Sequence, residues 1–447
     1  MRLKSVAAFV TMLTLLASYF VVDAGAATFT ADVDTTSWAL YLLNMDTNTV
    51  VYEKNSTEKM YPASTTKIMT YIVTVENVGD LKSTRVLVDE EILAMLDGTG
   101  SSLSGLQEYT NEYVTVYDLL NCLMIKSGND AALLLANYVG GSIQGFVDMM
   151  NEKAEELGCK NTHFKNPHGL HDDDHYTTAE DLAIMTQYAQ TLPEFNEISN
   201  SVSAYLTVDE NKEYPLITTN YMIDETRGGD YYYPYAKGVK TGTTDEAGYC
   251  LVSTASKDGY TYMCVALKAP SVDKDGEEVE TNGAMVDSKT LYEWAFNNLE
   301  IKTVIDEETP VCEIPVDLAM SQDTVLLVPQ RSYSTILPKD VDSSSIDVTT
   351  DIPESLTAPV IEGNVIGKAT ISYANQELTT VNLIAGETVE RSKALYFLET
   401  VKKIINSQWM IFAIIVVAVL FIIYAVITVA YNSKKKKKKA KRMSNKK

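Results

Sequence analysis

Four short apolar segments in the first two thirds of the chain predict β-strands. Two of them, Trp38 to Met45 and Thr49 to Glu53, lie close together near the start. The other two, Tyr249 to Ala255 and Thr261 to Leu267, flank Asp258-Gly259, a dipeptide typical of a two-residue hairpin turn. We therefore expect an antiparallel sheet in this part of the chain.

Apolar residues at helical spacing predict several helices around these strands. In chain order they are a helix opening at Ser64, one from Thr115 through Met124, one beginning at Ala131, and helices over Phe146 to Leu157, Thr177 to Leu192 and Gly283 to Leu299. Thr115-x-x-Asp118 and Thr177-x-x-Glu180 resemble capping boxes, which place a threonine at the helix start. From about Gly79 to Glu112, repeated glycines and serines predict loops.

The segment from Thr309 to Thr388 has a different pattern, in which short apolar runs are separated by turn residues. The runs are Val311 to Val316, Thr324 to Val328, Ile346 to Thr349, Ala369 to Tyr373 and Thr379 to Leu383. They predict a small β-domain, in which we find no catalytic constellation. The next residues predict an amphipathic helix with an apolar stripe of Ala394, Leu395, Leu398, Val401 and Ile405.

Both ends of the chain carry targeting features. An apolar run from Val6 to Val22, followed by Ala24-Gly25-Ala26, predicts a secretory signal peptide; the alternative is a first membrane span. Near the other end, Trp409 to Tyr431 is a stretch of 23 uncharged residues. Such a helix is long enough to cross a bilayer core of ~30 Å. The lysine-rich tail that follows predicts a cytoplasmic end by the positive-inside rule, which we favour over nucleic-acid binding.

The charge and the cysteine content of the chain bear on its binding partners and on its disulfide bonds. The net charge of −23 includes ten basic residues from Lys434 onward, so the rest of the chain is strongly acidic and no nucleic-acid partner is expected. Five cysteines leave at least one unpaired. In the predicted hairpin Cys250 faces Ala266 or Leu267 rather than Cys264. We therefore expect free, buried thiols rather than disulfides.

The candidate chemistry begins at Ser64. The spacing Ser-x-x-Lys occurs five times in the chain, but only at Ser64 does it open an amphipathic helix. On a helix Lys67 lies one turn after Ser64 on the same side, so its amine can reach the serine oxygen. A lysine can act as the base that activates a serine only where burial or a second cation keeps it neutral.

Two further motifs could complete such a site. Ser127-Gly128-Asn129 separates two apolar helices; a simple interpretation is a helix stop at Gly128 with Asp130 capping the next helix. That corner could also hold Ser127 and Asn129 rigidly over a cleft.

Lys240-Thr241-Gly242-Thr243 precedes a predicted strand, and could be an ordinary strand edge with a glycine bulge. Alternatively, Gly242 lets an extended peptide lie along the edge beside the Lys240 cation and the threonine donors.

All four histidines fall between His163 and His175, which raises the question of a metal site. His171 and His175 have the spacing of two ligands on a helix. However, three aspartates lie between them and no helix is predicted there, so they share no face. Asn166-Pro167 and His168-Gly169 are typical of turns, and we expect no metal.

Together the three motifs, in this order, resemble those of the penicillin-binding proteins and serine β-lactamases. Flanking segments are similar to the low-molecular-mass D-alanyl-D-alanine carboxypeptidases. These segments are Ser127-Gly128-Asn129-Asp130-Ala131-Ala132, Phe164-x-Asn166-x-x-Gly169-Leu170, Thr177-Thr178-Ala179-x-Asp181-Leu182-Ala183 and Gly248-Tyr249-Cys250. The resemblance implies an α/β (α+β) fold, with an antiparallel sheet flanked by helices plus an all-helical lobe, followed by a small β-sandwich.

The resemblance also implies a mechanism. Ser64 would be the nucleophile and Lys67 its base, while Ser127 would relay a proton and Asn129 would hold the substrate's amide. Lys240 would depress the pKa of Lys67 and attract the terminal carboxylate, which Thr241 would bind. The backbone N–H groups of Ser64 and Thr243 would form the oxyanion hole.

The expected substrates are peptidoglycan stem peptides, with β-lactam antibiotics as inhibitors and no cofactor. Three alternatives share these motifs: a β-lactamase, a transpeptidase, and a non-catalytic penicillin-recognising or wall-tethering protein. A class A β-lactamase is disfavoured because no Glu-x-x-Leu-Asn follows Asn129.

The expected organisation places the catalytic part outside the membrane. The segments are a signal peptide (1–26), a catalytic domain (28–300), a β-domain (305–388), a juxtamembrane helix (389–408), a transmembrane helix (409–431) and a basic cytoplasmic tail (432–447).

Overall fold

The structure is a computed structural model that describes residues 29, 31–209, 212–320, 322–342, 345–374 and 376–444. The predicted signal peptide and the last three residues of the basic tail lie outside these ranges. The chain divides into two compact units, the first built mainly from residues up to Lys302 and the second mainly from Thr303 onward.

The first unit combines a central sheet with helices. Its strands are β1 Ala39–Asn44, β2 Thr49–Lys54, β3 Arg85–Leu87, β4 Tyr113–Thr115, β5 Ser203–Asp209, β6 Lys212–Ile217, β7 Ala236–Thr244, β8 Gly248–Lys257 and β9 Tyr260–Ala269. Its helices are α1 Lys67–Asn77, α2 Glu90–Leu93, α3 Val116–Met124, α4 Asn129–Gly140, α5 Ile143–Glu156, α6 Ala179–Ala189, α7 Phe195–Ser199 and α8 Gly283–Asn298. Five strands form an antiparallel sheet in the order β2-β1-β9-β8-β7, which leaves β7 at an edge.

Both faces of this sheet are covered, which explains the continuous apolar pattern of its strands. Along β1, Tyr41 and Leu43 point into a core shared with α1 and α3 to α6. Leu40 and Leu42 point into a second core shared with α8. Helix α1 is buried along most of its length, because it lies in the middle of the first core.

The four predicted strands of the sheet are confirmed as β1, β2, β8 and β9, and their hairpin turn is confirmed as well. Lys257 pairs with Tyr260, and both residues of the turn between them have positive φ, 52° at Asp258 and 84° at Gly259. Asp-Gly favours this turn because both positions need left-handed backbone conformations.

Some helix boundaries differ from the predictions. Thr115 caps α3 as predicted, but α6 is capped by Thr178 rather than Thr177, since the Thr178 side chain accepts from the N–H of Asp181. Helix α5 begins before the predicted Phe146, because Ser142 caps it by accepting from the N–H of Gly145.

Two stretches were not predicted correctly. The region from Gly79 to Glu112 contains short elements, among them β3 and α2, rather than loops alone. The hairpin of β5 and β6 was missed, because its strands carry polar residues such as Ser203 and Glu213.

All five cysteines are free, as expected, but two details differ. Cys312 is partly exposed rather than buried. In addition, a bulge in β8 between Tyr249 and Leu251 takes Cys250 out of the regular register, so that Leu251 pairs with Ala266. Cys264 pairs with Ser253 instead, so the two cysteines do not face each other.

The second unit is dominated by a six-stranded sheet. The remaining strands of the chain are β10 Leu299–Ile305, β11 Cys312–Asp317, β12 Thr324–Pro329, β13 Tyr333–Pro338, β14 Ile346–Asp351, β15 Leu356–Thr357, β16 Val365–Tyr373 and β17 Gln376–Ala385. Six of them are arranged in the order β14-β16-β17-β12-β11-β15, while β10 and β13 form a separate pair. The sheet surrounds its own apolar core, which includes Val325, Leu327, Ile371 and Leu383.

Two helices end the described chain. Helix α9, Lys393–Ile405, carries the predicted apolar stripe, and α10 spans Gln408–Ser444. Residues Gln408–Lys438 of α10 are long and apolar enough to cross a membrane. This helix contains the predicted span, 409–431.

One buried carboxylate ties the start of the first unit to α8. Asp287 accepts hydrogen bonds from the Thr36 N–H at 3.0 Å, the Ser37 N–H at 2.6 Å and the Thr36 hydroxyl at 3.2 Å. Asp287→Ala leaves these donors without a partner, so we expect it to lower the free energy of unfolding by about 3 kcal/mol. Calorimetry of the detergent-solubilised protein should show a lower melting temperature, whereas Glu293→Ala on the exposed face of α8 should not change it. Equal melting temperatures for the two variants would contradict this assignment.

Candidate active site

Ser64 lies in a tight turn that leads into α1. A single 3₁₀ turn, Ala63–Thr66, precedes the helix, and Ala63 has a φ of 46°. The hydroxyls of Thr65 and Thr66 donate to the carbonyls of Pro62 and Ala63, at 2.7 and 2.8 Å. Side chains therefore fix the turn from within, while Ser64 itself stays partly exposed.

Lys67 is fully buried beneath this serine. Its Nζ lies 2.9 Å from Ser64 Oγ, 2.6 Å from Asn129 Oδ1 and 2.7 Å from the carbonyl oxygen of His168. Burial lowers the pKa of Lys67 well below its usual value, and the nearby Lys240 lowers this pKa further.

These three contacts determine what a neutral lysine can do. An uncharged amine has two N–H donors and one lone pair. The amide oxygen of Asn129 and the carbonyl of His168 can only accept, so they take both donors. The lone pair of Lys67 is then left for the hydroxyl hydrogen of Ser64, which is the arrangement that a general base requires.

Ser127 and Asn129 lie at the corner between α3 and α4. Ser127 has a φ of 63°, a left-handed conformation that is unusual for a residue other than glycine. The expected capping role of Asp130 is wrong: Gly128 occupies the N-cap position and Asp130 lies in the first turn of α4. The Asp130 carboxylate is buried and instead accepts from the N–H and the hydroxyl of Ser104, both at 2.8 Å. These two hydrogen bonds hold the corner against the loop that contains Ser104.

Lys240 approaches the same corner from β7. Its buried Nζ donates to Ser127 Oγ at 2.8 Å and to the carbonyl of Thr241 at 2.9 Å. Burial lowers the pKa of Lys240 to about 7. The five side chains predicted to be catalytic are thus assembled in one cluster.

The edge of β7 passes directly beside the serine. A Cβ added to Gly242 would lie 2.9 Å from the backbone nitrogen of Ser64, so glycine permits this close approach. Thr243 is exposed on the same strand and Thr241 is partly exposed. Among the strands that the structure describes, β7 pairs only with β8, so its other edge is available to an extended peptide.

The histidine-rich segment, residues 163–175, contacts the turn that carries Ser64. Nδ1 of His175 accepts from the N–H of Lys165, so Nε2 carries the hydrogen and donates to Thr66 Oγ1 at 2.8 Å. Burial lowers the pKa of His175 to about 3, which keeps the ring neutral. Sequence reasoning missed this supporting role, as well as the role of the His168 carbonyl, which any residue type could supply.

The same segment packs tightly against the serine turn. The hydroxyl of Thr70 donates to the carbonyl of Pro167 at 2.5 Å. Gly169 has a φ of 90°, and a Cβ at this position would lie 1.9 Å from the carbonyl oxygen of Ala63. Across the described ranges, no three His, Cys, Asp or Glu side chains are grouped in a way that could hold a metal ion.

Comparisons with known proteins agree with this arrangement. The family model of the D-alanyl-D-alanine carboxypeptidases matches residues 25–271, and that of the penicillin-binding protein 5 C-terminal domain matches residues 300–391. D-alanyl-D-alanine carboxypeptidase DacF of Bacillus subtilis (strain 168) is 29% identical over 360 residues, which cover 80% of this chain and 87% of the relative. DacA of Escherichia coli (strain K12) is 30% identical over 336 residues, covering 73% of this chain and 77% of the relative.

A solved structure shows the same fold. The crystal structure of penicillin binding protein 5 from Haemophilus influenzae matches with a TM-score of 0.62 at 26% identity, covering 81% of this chain and 100% of that one. The predicted fold class, a penicillin-binding-protein-like catalytic part followed by a β-domain, is confirmed by these matches. The first family model alone spans more than half of the sequence. The chain therefore belongs to the D-alanyl-D-alanine carboxypeptidase family.

Proposed function

We propose that the chain removes the terminal D-Ala from peptidoglycan stem peptides through an acyl-enzyme on Ser64. Membership of the family makes it a serine-type D-Ala-D-Ala carboxypeptidase, a hydrolase of cell-wall peptides. The assignment of Ser64 as the nucleophile rests on the contacts around Lys67. Two acceptors occupy the N–H groups of a neutral amine and leave its lone pair for Ser64.

In acylation, Lys67 takes the hydroxyl proton of Ser64 while Oγ attacks the carbonyl carbon of the penultimate D-Ala. The carbonyl oxygen gains negative charge, which the backbone N–H groups of Ser64 and Thr243 stabilise. The carbon–nitrogen bond then breaks as Ser127 gives its hydroxyl proton to the departing amine and takes up the proton held by Lys67, so that Lys67 is neutral again. D-Ala leaves with that proton, and the remaining peptide stays as an ester on Ser64.

In deacylation, water takes the place of the amine. Lys67, neutral again, accepts a proton from water as the oxygen attacks the ester carbonyl, and Ser64 regains its hydrogen when the ester bond breaks. A transpeptidase would differ only in using an amine as acceptor. β-Lactams, which resemble the terminal D-Ala-D-Ala, are expected to form a long-lived ester with the same serine.

Recognition of the peptide rests on the β7 edge. We infer that the substrate pairs with this edge, which Gly242 keeps free of side-chain obstruction. The side chain of Asn129 would hold an amide of the substrate. Lys240 would attract the terminal carboxylate, and Thr241 would donate its hydroxyl hydrogen to it.

The remaining segments suit a membrane-bound wall enzyme. We propose that 28–300 is the catalytic domain, that 305–388 is a spacer or interaction module, and that 409–431 anchors both to the cell membrane. The basic residues after this span would lie in the cytoplasm, which places the catalytic domain on the wall-facing side. Nucleic acid is not among the partners we expect, given the acidic composition of residues before the span.

Ser64→Ala removes the nucleophile and should lower release of D-Ala from a defined pentapeptide by at least about a thousandfold. The variant should also lose covalent labelling by a fluorescent penicillin. Ser271→Ala alters another Ser-x-x-Lys sequence, at a position away from α1, and should retain both activities. Mass spectrometry with and without an amine acceptor would distinguish hydrolysis from transfer. Normal labelling of Ser64→Ala would show that another residue is the nucleophile.

The two lysines predict a bell-shaped dependence of kcat/KM on pH. Lys67 must lose its proton to act as a base, so activity should rise with pH as Lys67 is deprotonated. Lys240 must keep its proton to attract a carboxylate, and its pKa of about 7 predicts a decline above neutral pH. A matched peptide with a C-terminal amide has no carboxylate, so its profile should lack the decline. The same decline for both peptides would exclude Lys240 as its cause.

The close approach of Gly169 to the serine turn predicts that Gly169→Ala displaces Ser64 without unfolding the protein. A shift of about 1 Å in a reacting group can cost about a hundredfold in rate, and we expect a loss of that order in acylation by penicillin. Gly158→Ala is a matched control, because Gly158 also has a positive φ, of 83°, but nothing lies within 4 Å of an added Cβ. Equal acylation rates for the two variants would mean that backbone strain alone, and not contact with Ala63, determines the effect.

A further inference from the structure

A second threonine contacts the proposed carboxylate-binding residue. Thr219 Oγ1 lies 2.5 Å from Thr241 Oγ1, and either hydroxyl could donate in this pair. Both side chains are partly exposed. Thr219 belongs to the loop between β6 and β7 and lies outside the three motifs, 22 residues before Thr241.

The neighbours of Thr219 hold this loop in place. Asn220 donates from Nδ2 to the carbonyl of Gly238 on β7 at 2.7 Å. On the other side, the guanidinium of Arg227 donates to the carbonyl of Thr218 at 2.7 Å, and its Nε donates to the buried Asp224 at 2.6 Å. Since both flanking residues are held, the backbone at Thr219 is fixed beside β7, within reach of the Thr241 hydroxyl.

The direction of this hydrogen bond determines whether Thr241 can bind an anion. Each hydroxyl has one hydrogen, and a carboxylate can only accept. If Thr241 donates to Thr219, its hydrogen is not available to the substrate. If Thr219 donates to Thr241, the hydrogen of Thr241 is free, and the two hydroxyls form a chain that ends on the carboxylate oxygen.

We propose that Thr219 is a positioning residue that donates to Thr241 and so directs the Thr241 hydrogen toward the terminal carboxylate of the substrate. This inference rests on the proposed function, in which Thr241 binds that carboxylate. Lys240 holds the same residue through its backbone, since Nζ donates to the Thr241 carbonyl at 2.9 Å. Specificity for a free C-terminus therefore depends on Thr219 as well as on the lysine and threonine of the motif.

The test compares two pentapeptides, one with a free C-terminal carboxylate and one with a C-terminal amide, on the detergent-solubilised full-length protein. Thr219→Val has the same shape as threonine but lacks the hydroxyl. It should lower kcat/KM about tenfold for the acid, mainly through KM, and leave the amide unchanged. Thr219→Ser keeps the hydroxyl and should behave as the wild type. A loss that is equal for acid and amide, or no loss at all, would overturn the proposal.

Two further variants separate this proposal from the proposed function. Thr241→Val should reduce the preference for the acid, and Thr219→Val should add nothing in that background, because the two residues act in one chain. If Thr241→Val changes the preference but Thr219→Val does not, the inference is wrong and the proposed function stands. If Thr241→Val leaves the preference unchanged, its assigned role is wrong, and the role of Thr219 is excluded with it. Thr380→Val, which removes a hydroxyl pair with Thr370 in the second unit, is the matched control.

Discussion

The structure of the site depends on one costly arrangement, the burial of two lysine amines close together. Lys67 and Lys240 are both removed from water, and each charge would raise the cost of the other. The cost is smallest if one amine is neutral. The surroundings of Lys67 suit a neutral amine, because both of its other partners, the oxygens of Asn129 and His168, are uncharged acceptors.

Holding the amine in this way requires backbone segments to approach each other more closely than side chains allow. Gly169 meets the carbonyl of Ala63, and Gly242 meets the nitrogen of Ser64, so the turn that carries Ser64 is enclosed from two sides. The hydroxyls of Thr65 and Thr66 then fix the turn from within. The serine is therefore positioned mainly by backbone contacts, and the chemistry of its side chain is free to serve catalysis.

These features also explain how much could be predicted from the sequence. Buried strands such as β1 and β8 were predicted because apolar patterns report burial directly. Ser64, Lys67 and Lys240 could be proposed from the sequence because a nucleophile, a base and a cation each require a particular side chain. The His168 carbonyl and the contact at Gly169 could not be found, since a carbonyl has no residue signature and close approach depends on the folded chain. Asp130 was placed at a cap because Asp is common there, whereas its long-range bonds to Ser104 determine its position.

The two lysines of the site carry different charges on the proposed mechanism, with Lys240 positive and Lys67 neutral. On the proposed mechanism the substrate's carboxylate binds beside Lys240, whose Nζ contacts Ser127 Oγ and the Thr241 carbonyl, so the positive charge is best accommodated on this lysine. Its charge in turn lowers the pKa of Lys67. On the proposed mechanism, a carboxylate that binds near Lys240 stabilises the protonated form of that lysine. The proton is then retained on the β7 side of the site, and the base beside Ser64 is kept neutral while the serine reacts.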